Sequence, residues 1–192
     1  MRILTVTGYK PMELNIFKED DPRITFIKAA LEKRLVEFAE EGLEWVLISG
    51  QMGVELWTAE VVLDMKETYP VNLGIFPPFE NQASRWPEAL QEKYEGIIAV
   101  CDFYKPIYQG EYRGAFQFKA KNMWLADKSD GCLLLMDEEF PGSNRYFHEA
   151  AKGAGGNYPI YTITPADLDD VVEEVWMSDP DYWDQGGVWC CW

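Results

Sequence analysis

Histidine and cysteine are scarce in this chain of 192 residues, which contains one histidine and four cysteines. The histidine, His148, has neither a GxSxG nor an HExxH motif beside it. The residues that serine-triad and zinc-protease mechanisms require are therefore missing. Cys101 and Cys132 lie in apolar runs and are expected to be buried thiols. The adjacent Cys190 and Cys191 match neither a disulfide framework nor a CxxC clip. No metal site is predicted.

Long apolar runs are also missing. No segment approaches the ~18–20 consecutive apolar residues that a transmembrane helix needs. The strand-like run RILTVTG at residues 2–8 does not resemble a signal peptide. We therefore expect a cytoplasmic protein that does not insert into membranes.

Basic side chains are outnumbered, with 17 lysines and arginines against 33 aspartates and glutamates and a net charge of −16. No lysine or arginine follows Lys152, and the acidic residues after it carry 8 of the net negative charges. Because nucleic-acid binding needs a basic face that displaces counterions, the charge predicts no direct contact with DNA or RNA. Any phosphate that binds must be held locally, against the global field.

Apolar runs alternate with amphipathic segments along residues 1–176, which we predict to form one domain. Strands are predicted at 2–7, 45–49, 72–76, 97–101, 132–136 and 160–163, each followed by a helical pattern. Such alternation requires crossovers and therefore parallel neighbours with helices on both faces. The predicted fold class is α/β, a three-layer Rossmann-like doubly wound sandwich with a mostly parallel sheet of about six strands. Residues 177–192 are acidic and aromatic, without period, and are expected to be a mobile tail.

The most informative turn joins the second strand to its helix and reads Ser49-Gly50-Gln51-Met52-Gly53. Ligands of doubly wound sheets bind outside the carboxyl ends of the strands. Two glycines here would let several backbone N–H groups converge on a phosphate at the helix start. A tight turn without a ligand is the alternative. If the turn binds an anion, a β-branched residue at Gly53 should abolish ligand binding and leave the fold largely intact.

The end of the first strand carries Gly8, Tyr9 and Lys10. Gly8 permits close approach, Tyr9 could stack on a base, and Lys10 could meet a phosphate. The alternative is a strand-ending turn with surface side chains. Phe79 and Trp86, after the third strand, are further candidates for base stacking.

The loop after the fifth strand contains Gly142 and Ser143, which open a helix. These residues could form a second phosphate cradle, with Arg145 as a counter-charge. A Gly-Ser pair at this position is more often an ordinary helix N-cap.

Together these segments resemble the YpsA family, part of the SLOG superfamily, which also contains DprA and the LOG phosphoribohydrolases. The resemblance covers residues 1–176. It rests on TGYKP at 7–11, EGLEWVLISGQMGVELWTAE at 41–60, FQFKAKN at 116–122, DKSDGCLLLMD at 127–137, and the Gly142-Ser143 pair.

The resemblance implies a site for a nucleotide-derived ligand such as NAD or ADP-ribose, with no other cofactor required. By position, the phosphate and ribose subsites would be lined by Gly8, Ser49, Gly50, Gln51, Gly53, Gly142 and Ser143. Glu55 would bind ribose hydroxyls, and Lys121-Asn122 would stand where DprA-like relatives carry an Arg-Asn pair. The resemblance further implies a sensor or regulator in bacterial cell division or stress, acting with a regulatory protein partner or as a homo-oligomer.

An N-glycosidase of the LOG type is the alternative function. LOG hydrolases use a PGGxGTxxE loop, which can be laid onto residues 141–149. Arg145 and Tyr146 replace a glycine and the threonine, and only three residues match (Pro141, Gly142 and Glu149). Glu55 and Glu149 would be the catalytic candidates. A third alternative is an interaction module that uses the acidic C-terminal segment.

Overall fold

The structure, a computed structural model, describes residues 1–178 of the chain. Their strands are β1 (Ile3–Gly8), β2 (Trp45–Ile48), β3 (Asn72–Ile75), β4 (Phe103–Tyr104), β5 (Gly131–Leu135) and β6 (Ile160–Ile163). Their helices are α1 (Pro22–Glu40), α2 (Val54–Met65), α3 (Glu88–Val100), α4 (Phe116–Lys128), α5 (Arg145–Gly153) and α6 (Pro165–Ser178). Short 3-10 turns cover Pro11–Leu14 and Gly142–Asn144.

The strands form one parallel sheet in the order β4-β3-β2-β1-β5-β6. From β1 to β4 the chain moves outward in one direction, and it then returns to place β5 on the other side of β1. Right-handed crossovers in opposite directions place helices on opposite faces. Accordingly, α1 packs against α2 and α6, while α4 packs against α5. The predicted fold class is confirmed.

The central strands are buried on both faces, which explains their uninterrupted apolar sequence. Leu4 and Val6 of β1 and Leu133 and Leu134 of β5 are fully buried. Because the strand order reverses between β1 and β5, the crevice for a ligand lies at the carboxyl ends of these two strands. The residues that follow Gly8 and Leu135 are therefore the first candidates for a ligand-binding site.

One predicted strand is wrong. Residues 97–101 were expected to form it, but residues 97–100 are the last turn of α3, and the strand is the two-residue β4. Tyr94 and Ile97 are the buried residues of this helix and lie one turn apart, whereas Val100 is 59% exposed. Periodicity alone does not separate a short apolar run from a helix segment, and Gly96, which precedes the run, lies within the helix and does not end it.

The C-terminal segment differs slightly from its prediction. Helix α6 ends at Ser178, two residues beyond the predicted end of the domain at 176. The remainder of the predicted tail, residues 179–192, lies outside the described residues. No helix among residues 1–178 is both long and apolar enough to cross a membrane.

The β2–α2 turn packs directly on the end of β1. Gly53 has φ +91, and a Cβ there would lie 2.5 Å from the carbonyl oxygen of Tyr9 and 2.8 Å from Cδ of Pro11. A Cβ on Gly8 would lie 2.5 Å from Cγ1 of Val54. The Val54 N–H donates to the Tyr9 carbonyl at 3.1 Å. These glycines are required by the packing itself, so the expectation that a β-branched residue at Gly53 leaves the fold intact is wrong.

We expect Gly53→Ala to lower the free energy of unfolding by at least about 2 kcal/mol, since it adds a strained backbone and a clash with fixed backbone atoms. Gly96→Ala is the matched control, because a Cβ at this exposed position of α3 would meet nothing within 4 Å. The control should gain up to about 1 kcal/mol from helix propensity. Chemical denaturation measures both, and equal stabilities would contradict the packing role of Gly53.

Candidate anion-binding site

The buried carboxylate of Glu55 holds the β2–α2 turn. Its Oε2 accepts the N–H of Ser49 at 2.9 Å, the Ser49 hydroxyl at 2.6 Å and the N–H of Gln51 at 3.0 Å. Its Oε1 accepts the Thr7 hydroxyl at 2.6 Å. Glu55 is 3% exposed. These four donors are therefore used within the protein.

This network corrects part of the sequence-based site. Backbone N–H groups at Gly50–Gly53 and Gly8 were expected to bind a phosphate, but the N–H of Gln51 already donates to Glu55 and the N–H of Met52 to the side-chain oxygen of Gln51. Glu55 was expected to bind ribose hydroxyls, but both of its oxygens accept protein hydrogen bonds. Gly50 has φ +73, and a Cβ there would lie 2.9 Å from both Ile75 and Tyr94. The turn fixes the backbone at the edge of the crevice.

A second set of donors lies where the end of β1 meets the loop after β5. Glu13, in the first 3-10 turn, places its carboxylate between them. Its Oε1 accepts the N–H of Ser143 at 2.8 Å, and its Oε2 accepts the Ser143 hydroxyl at 2.9 Å and the N–H of Lys10 at 2.8 Å. Gly142 has φ +53, and a Cβ there would lie 2.6 Å from Oε1 of Glu13. The cradle predicted at Gly142-Ser143 thus holds an anion that the chain itself supplies.

Glu13 differs from Glu55 in exposure, since its side chain lies at the surface. Local sequence patterns did not identify Glu13 as part of the site. The local signal was a capping-box pattern, in which Pro11 opens a 3-10 turn and Glu13 bonds back to the Lys10 backbone. That pattern predicts the turn, but it gives no indication that the same carboxylate reaches Ser143, 130 residues away.

Tyr9 positions the loop after β5. Its hydroxyl donates to the Phe140 carbonyl at 2.6 Å and accepts the N–H of Asp137 at 2.8 Å. Burial raises the pKa of this hydroxyl above its ordinary 10.0. Tyr9 is 8% exposed, so the expectation that it stacks on a base is wrong. The other stacking candidates also pack within the protein, Phe79 at 7% exposure and Trp86 edge-on against a tyrosine ring.

Lys121 and Asn122 project from α4 at this end of the sheet. Burial lowers the pKa of Lys121 below its ordinary 10.5, while the nearby Glu55 carboxylate opposes the shift and Lys10 adds to it. Among residues 1–178, no carboxylate oxygen lies within 4.0 Å of the Lys121 ammonium. Oδ1 of Asn122 is buried and has no hydrogen-bond partner among those residues. The structure thus brings Lys121 near Lys10 and leaves its charge uncompensated by direct contact.

The two catalytic candidates of the enzyme alternative differ in exposure. Glu55 is enclosed, whereas Glu149 lies on the exposed side of α5. The Arg145 guanidinium lies 4.8 Å from the centre of the Tyr146 ring. Both side chains line a shallow depression of about 530 Å³ beside Gly142-Ser143. Within the described range, no group of three or more His, Cys, Asp or Glu is placed to hold a metal ion.

Replacing Glu55 by glutamine should destabilise the protein, because an amide cannot accept four hydrogen bonds as a carboxylate does and it turns a donor toward donors. We expect a loss of about 2–3 kcal/mol in the free energy of unfolding. Glu149→Gln, a neutralised exposed glutamate, is the control and should change stability by less than about 0.5 kcal/mol. Urea denaturation of both variants is the measurement. A Glu55→Gln protein as stable as its control would refute the structural role of this carboxylate.

Two solved structures share the fold. DNA processing protein A (DprA) from Streptococcus pneumoniae superposes with a TM-score of 0.56 at 14% identity, over 93% of this chain and 56% of that one. This chain thus spans little more than half of the pneumococcal protein. DprA from Helicobacter pylori, described in a single-stranded DNA binding mode, matches with a TM-score of 0.53 at 13% identity, over 92% of this chain and 81% of that one. At such identities the matches show the fold.

The second match overturns one expectation from the sequence. Net charge led to the exclusion of direct binding to DNA or RNA, yet the Helicobacter pylori protein carries this fold and binds single-stranded DNA. The exclusion is therefore wrong. A charge summed over a whole chain says nothing about the charge of one face.

Close relatives cover nearly the full length. The UPF0398 protein OB1025 of Oceanobacillus iheyensis is 67% identical over 184 residues, which is 96% of this chain and 100% of that protein. The UPF0398 protein YpsA of Bacillus subtilis is 46% identical over 177 residues, 91% of this chain and 98% of that protein. The family model YpsA, described as the YspA SLOG family, matches residues 4–168. The resemblance noted in the sequence is confirmed, and the chain belongs to the YpsA family of SLOG proteins.

Proposed function

We propose that this protein binds a nucleotide-derived ligand through a phosphate group at the crevice between β1 and β5. Lys10, Gly142 and Ser143 supply the backbone and hydroxyl donors, and Lys121 supplies the charge. NAD, ADP-ribose or a similar molecule is the proposed ligand, and the protein acts as a sensor or regulator. A role in bacterial cell division or stress is part of this proposal and is supported by the family resemblance.

The observation that carries the proposal is the position of the Glu13 carboxylate. Two N–H groups and one hydroxyl converge on it within 2.9 Å. Phosphate oxygens accept the same kind of hydrogen bond in the same length range. The donors are therefore already arranged for an oxyanion.

Glu55 and Glu13 differ in exposure, and this difference decides which of the two carboxylates a phosphate can displace. Glu55 is buried and ties two strands to a helix, so its displacement would dismantle the turn. Glu13 lies at the surface on a turn of four residues, Pro11–Leu14, so a phosphate can replace it without disturbing the sheet. Such a replacement frees the turn from the loop after β5. Ligand binding is thereby linked to a movement that a partner could sense.

Lys121 is the local cation that this acidic protein needs. A helix start contributes only about 0.3–1 kcal/mol per exposed anionic charge, so backbone donors alone bind a phosphate weakly. The Lys121 ammonium has no direct carboxylate partner within residues 1–178, and its side chain is half-buried, so solvent screens its charge less than that of a fully exposed lysine. The net charge of −16 opposes an anionic ligand at long range, so affinity depends on these local donors.

Removing the competing carboxylate should strengthen ligand binding. We expect Glu13→Gln to bind ADP-ribose about ten-fold more tightly than the wild type, because the ligand no longer displaces a charged acceptor. Glu138→Gln is the matched control, since it removes the same charge from an exposed side chain of the adjacent loop that takes no part in the cradle. Isothermal titration calorimetry measures the three affinities.

Two outcomes would contradict this assignment. Equal affinities of the two variants would show that net charge, and not the cradle, governs binding. Failure of both the wild type and Glu13→Gln to bind ADP-ribose or NAD would exclude these ligands.

Protonation of Lys121 should also control affinity. Since burial lowers its pKa, the ammonium loses its charge at a lower pH than an ordinary lysine with a pKa of 10.5. A phosphate diester or monoester is fully ionised above about pH 7, so ligand charge does not change there. We expect ADP-ribose affinity to fall in the wild type as the pH is raised from about 7 toward the ordinary lysine pKa of 10.5, and to stay nearly constant in Lys121→Arg, which keeps its charge. Calorimetry across this range checks it, and identical pH profiles would rule out a contribution of Lys121.

A further inference from the structure

Residues 103–121 differ in charge from the rest of the chain. They contain four basic residues and one acidic residue, within a protein whose net charge is −16. The same stretch contains six aromatic residues. It comprises β4, the loop after it and the first turns of α4. A basic, aromatic segment in an acidic protein indicates a surface with a specific partner.

The aromatic cluster consists of two groups of contacting rings, Phe79 with Tyr112 and Phe118, and Tyr108 with Phe116, which a backbone bridge joins. The Phe79 ring lies 5.4 Å from Tyr112 and 5.6 Å from Phe118, and these two lie 5.9 Å apart. Tyr108 pairs with Phe79 through a backbone bridge and contacts Phe116 ring to ring at 5.6 Å. Phe79 is the buried anchor of the cluster, with 7% exposure.

Three rings of this aromatic cluster face solvent. Tyr112 is 55% exposed, Phe116 is 53% exposed and Phe118 is 38% exposed. Scattered apolar side chains on a surface are ordinary, but adjacent exposed rings over a buried aromatic base mark interaction sites.

Three cations accompany these rings. Lys105, Arg113 and Lys119 are exposed, and none of them has a carboxylate within 4.0 Å in the part of the chain that the structure describes. Glu111 lies in the same segment, and the Glu80 carboxylate accepts the N–H of Gly110 beside it. Cations still outnumber these two acids, so the face is locally positive.

We propose that this aromatic–basic surface binds single-stranded DNA. Unpaired bases stack on Tyr112, Phe116 and Phe118, and the phosphates between them meet the neighbouring cations. Base stacking on aromatic side chains, combined with a positive track for the backbone, is the general mode of single-strand binding. A duplex keeps its bases stacked on one another and cannot use the rings.

Charge complementarity favours this occupant over others. An apolar protein partner would cover the rings, but it would leave the cations desolvated and without counter-charges. A strand of DNA supplies a base for each ring and a phosphate for each cation. The surface is formed by the loop after β4 and the start of α4, and it uses none of the residues assigned to the phosphate site, so this proposal does not depend on the proposed function.

The test measures fluorescence anisotropy of a labelled oligo-dT of about 20 nucleotides at low salt, where phosphate contacts are strongest. Phe116→Ala/Lys119→Glu is compared with the control Phe17→Ala/Lys18→Glu. Each removes an exposed phenylalanine and an exposed lysine without an ion pair among the described residues, so both change net charge equally. Thermal melts establish that both variants are folded.

We expect the wild type to bind and the Kd of the cluster variant to rise about ten-fold or more, since it loses a stacking ring and a phosphate contact. The Kd of the control should change by less than about two-fold, and its salt dependence should match that of the wild type.

Three results would overturn the proposal: no binding by the wild type, equal weakening of both variants, or equal affinity for a duplex of the same length. Tighter binding of a matching RNA oligonucleotide would overturn DNA as the occupant. A dimer that only the cluster variant breaks, without oligonucleotide binding, would assign the surface to a second copy instead.

Discussion

The hydrogen bonds of the Glu55 carboxylate determine the geometry of the carboxyl edge of the sheet. One buried side chain ties Thr7 at the end of β1 to Ser49 at the end of β2, across the start of α2. The glycines at positions 8 and 53 exist because the turn so held must lie against β1 with no room for a Cβ. A rigid edge of this kind fixes the end of β1, and with it the backbone of Lys10. The exposed part of the site, the turn that carries Glu13, is built onto this part.

The two carboxylates show how similar local chemistry gives different roles. Each accepts hydrogen bonds from backbone N–H groups and a serine hydroxyl at the carboxyl edge of the sheet. Burial decides between them, since displacing a buried charged acceptor leaves several donors unsatisfied at a cost of about 1–3 kcal/mol each. At the surface, water or a ligand can take over the same donors. Glu55 is therefore a structural element, whereas Glu13 occupies an exchangeable position.

Local sequence patterns predicted most of the fold and part of the site. The patterns at β1, β2 and β6 placed these strands to within a residue or two, because apolar runs bounded by glycine, serine or threonine have few alternatives. The run at 97–101 could not be distinguished from a helix by its own composition, and its neighbours in α3 determined that it is helical.

The Ser49–Gly53 turn was predicted as a turn, but the group that occupies it was not, because Glu55 turns back onto residues that precede it in the chain. Contact between Glu13 and Ser143 depends on tertiary structure, which local patterns do not contain. Summed charge failed for the related reason that it ignores position, as the basic segment 103–121 shows.

The most direct test of the account is a ¹⁵N NMR titration of the full chain with ADP-ribose. If the Glu13 cradle is the anion site and the Glu55 turn stays closed, the amide signals of Lys10 and Ser143 will shift while those of Ser49 and Gln51 remain in place. Shifts at Ser49 and Gln51 without shifts at Ser143 would contradict the account, because they would return the ligand to the β2–α2 turn.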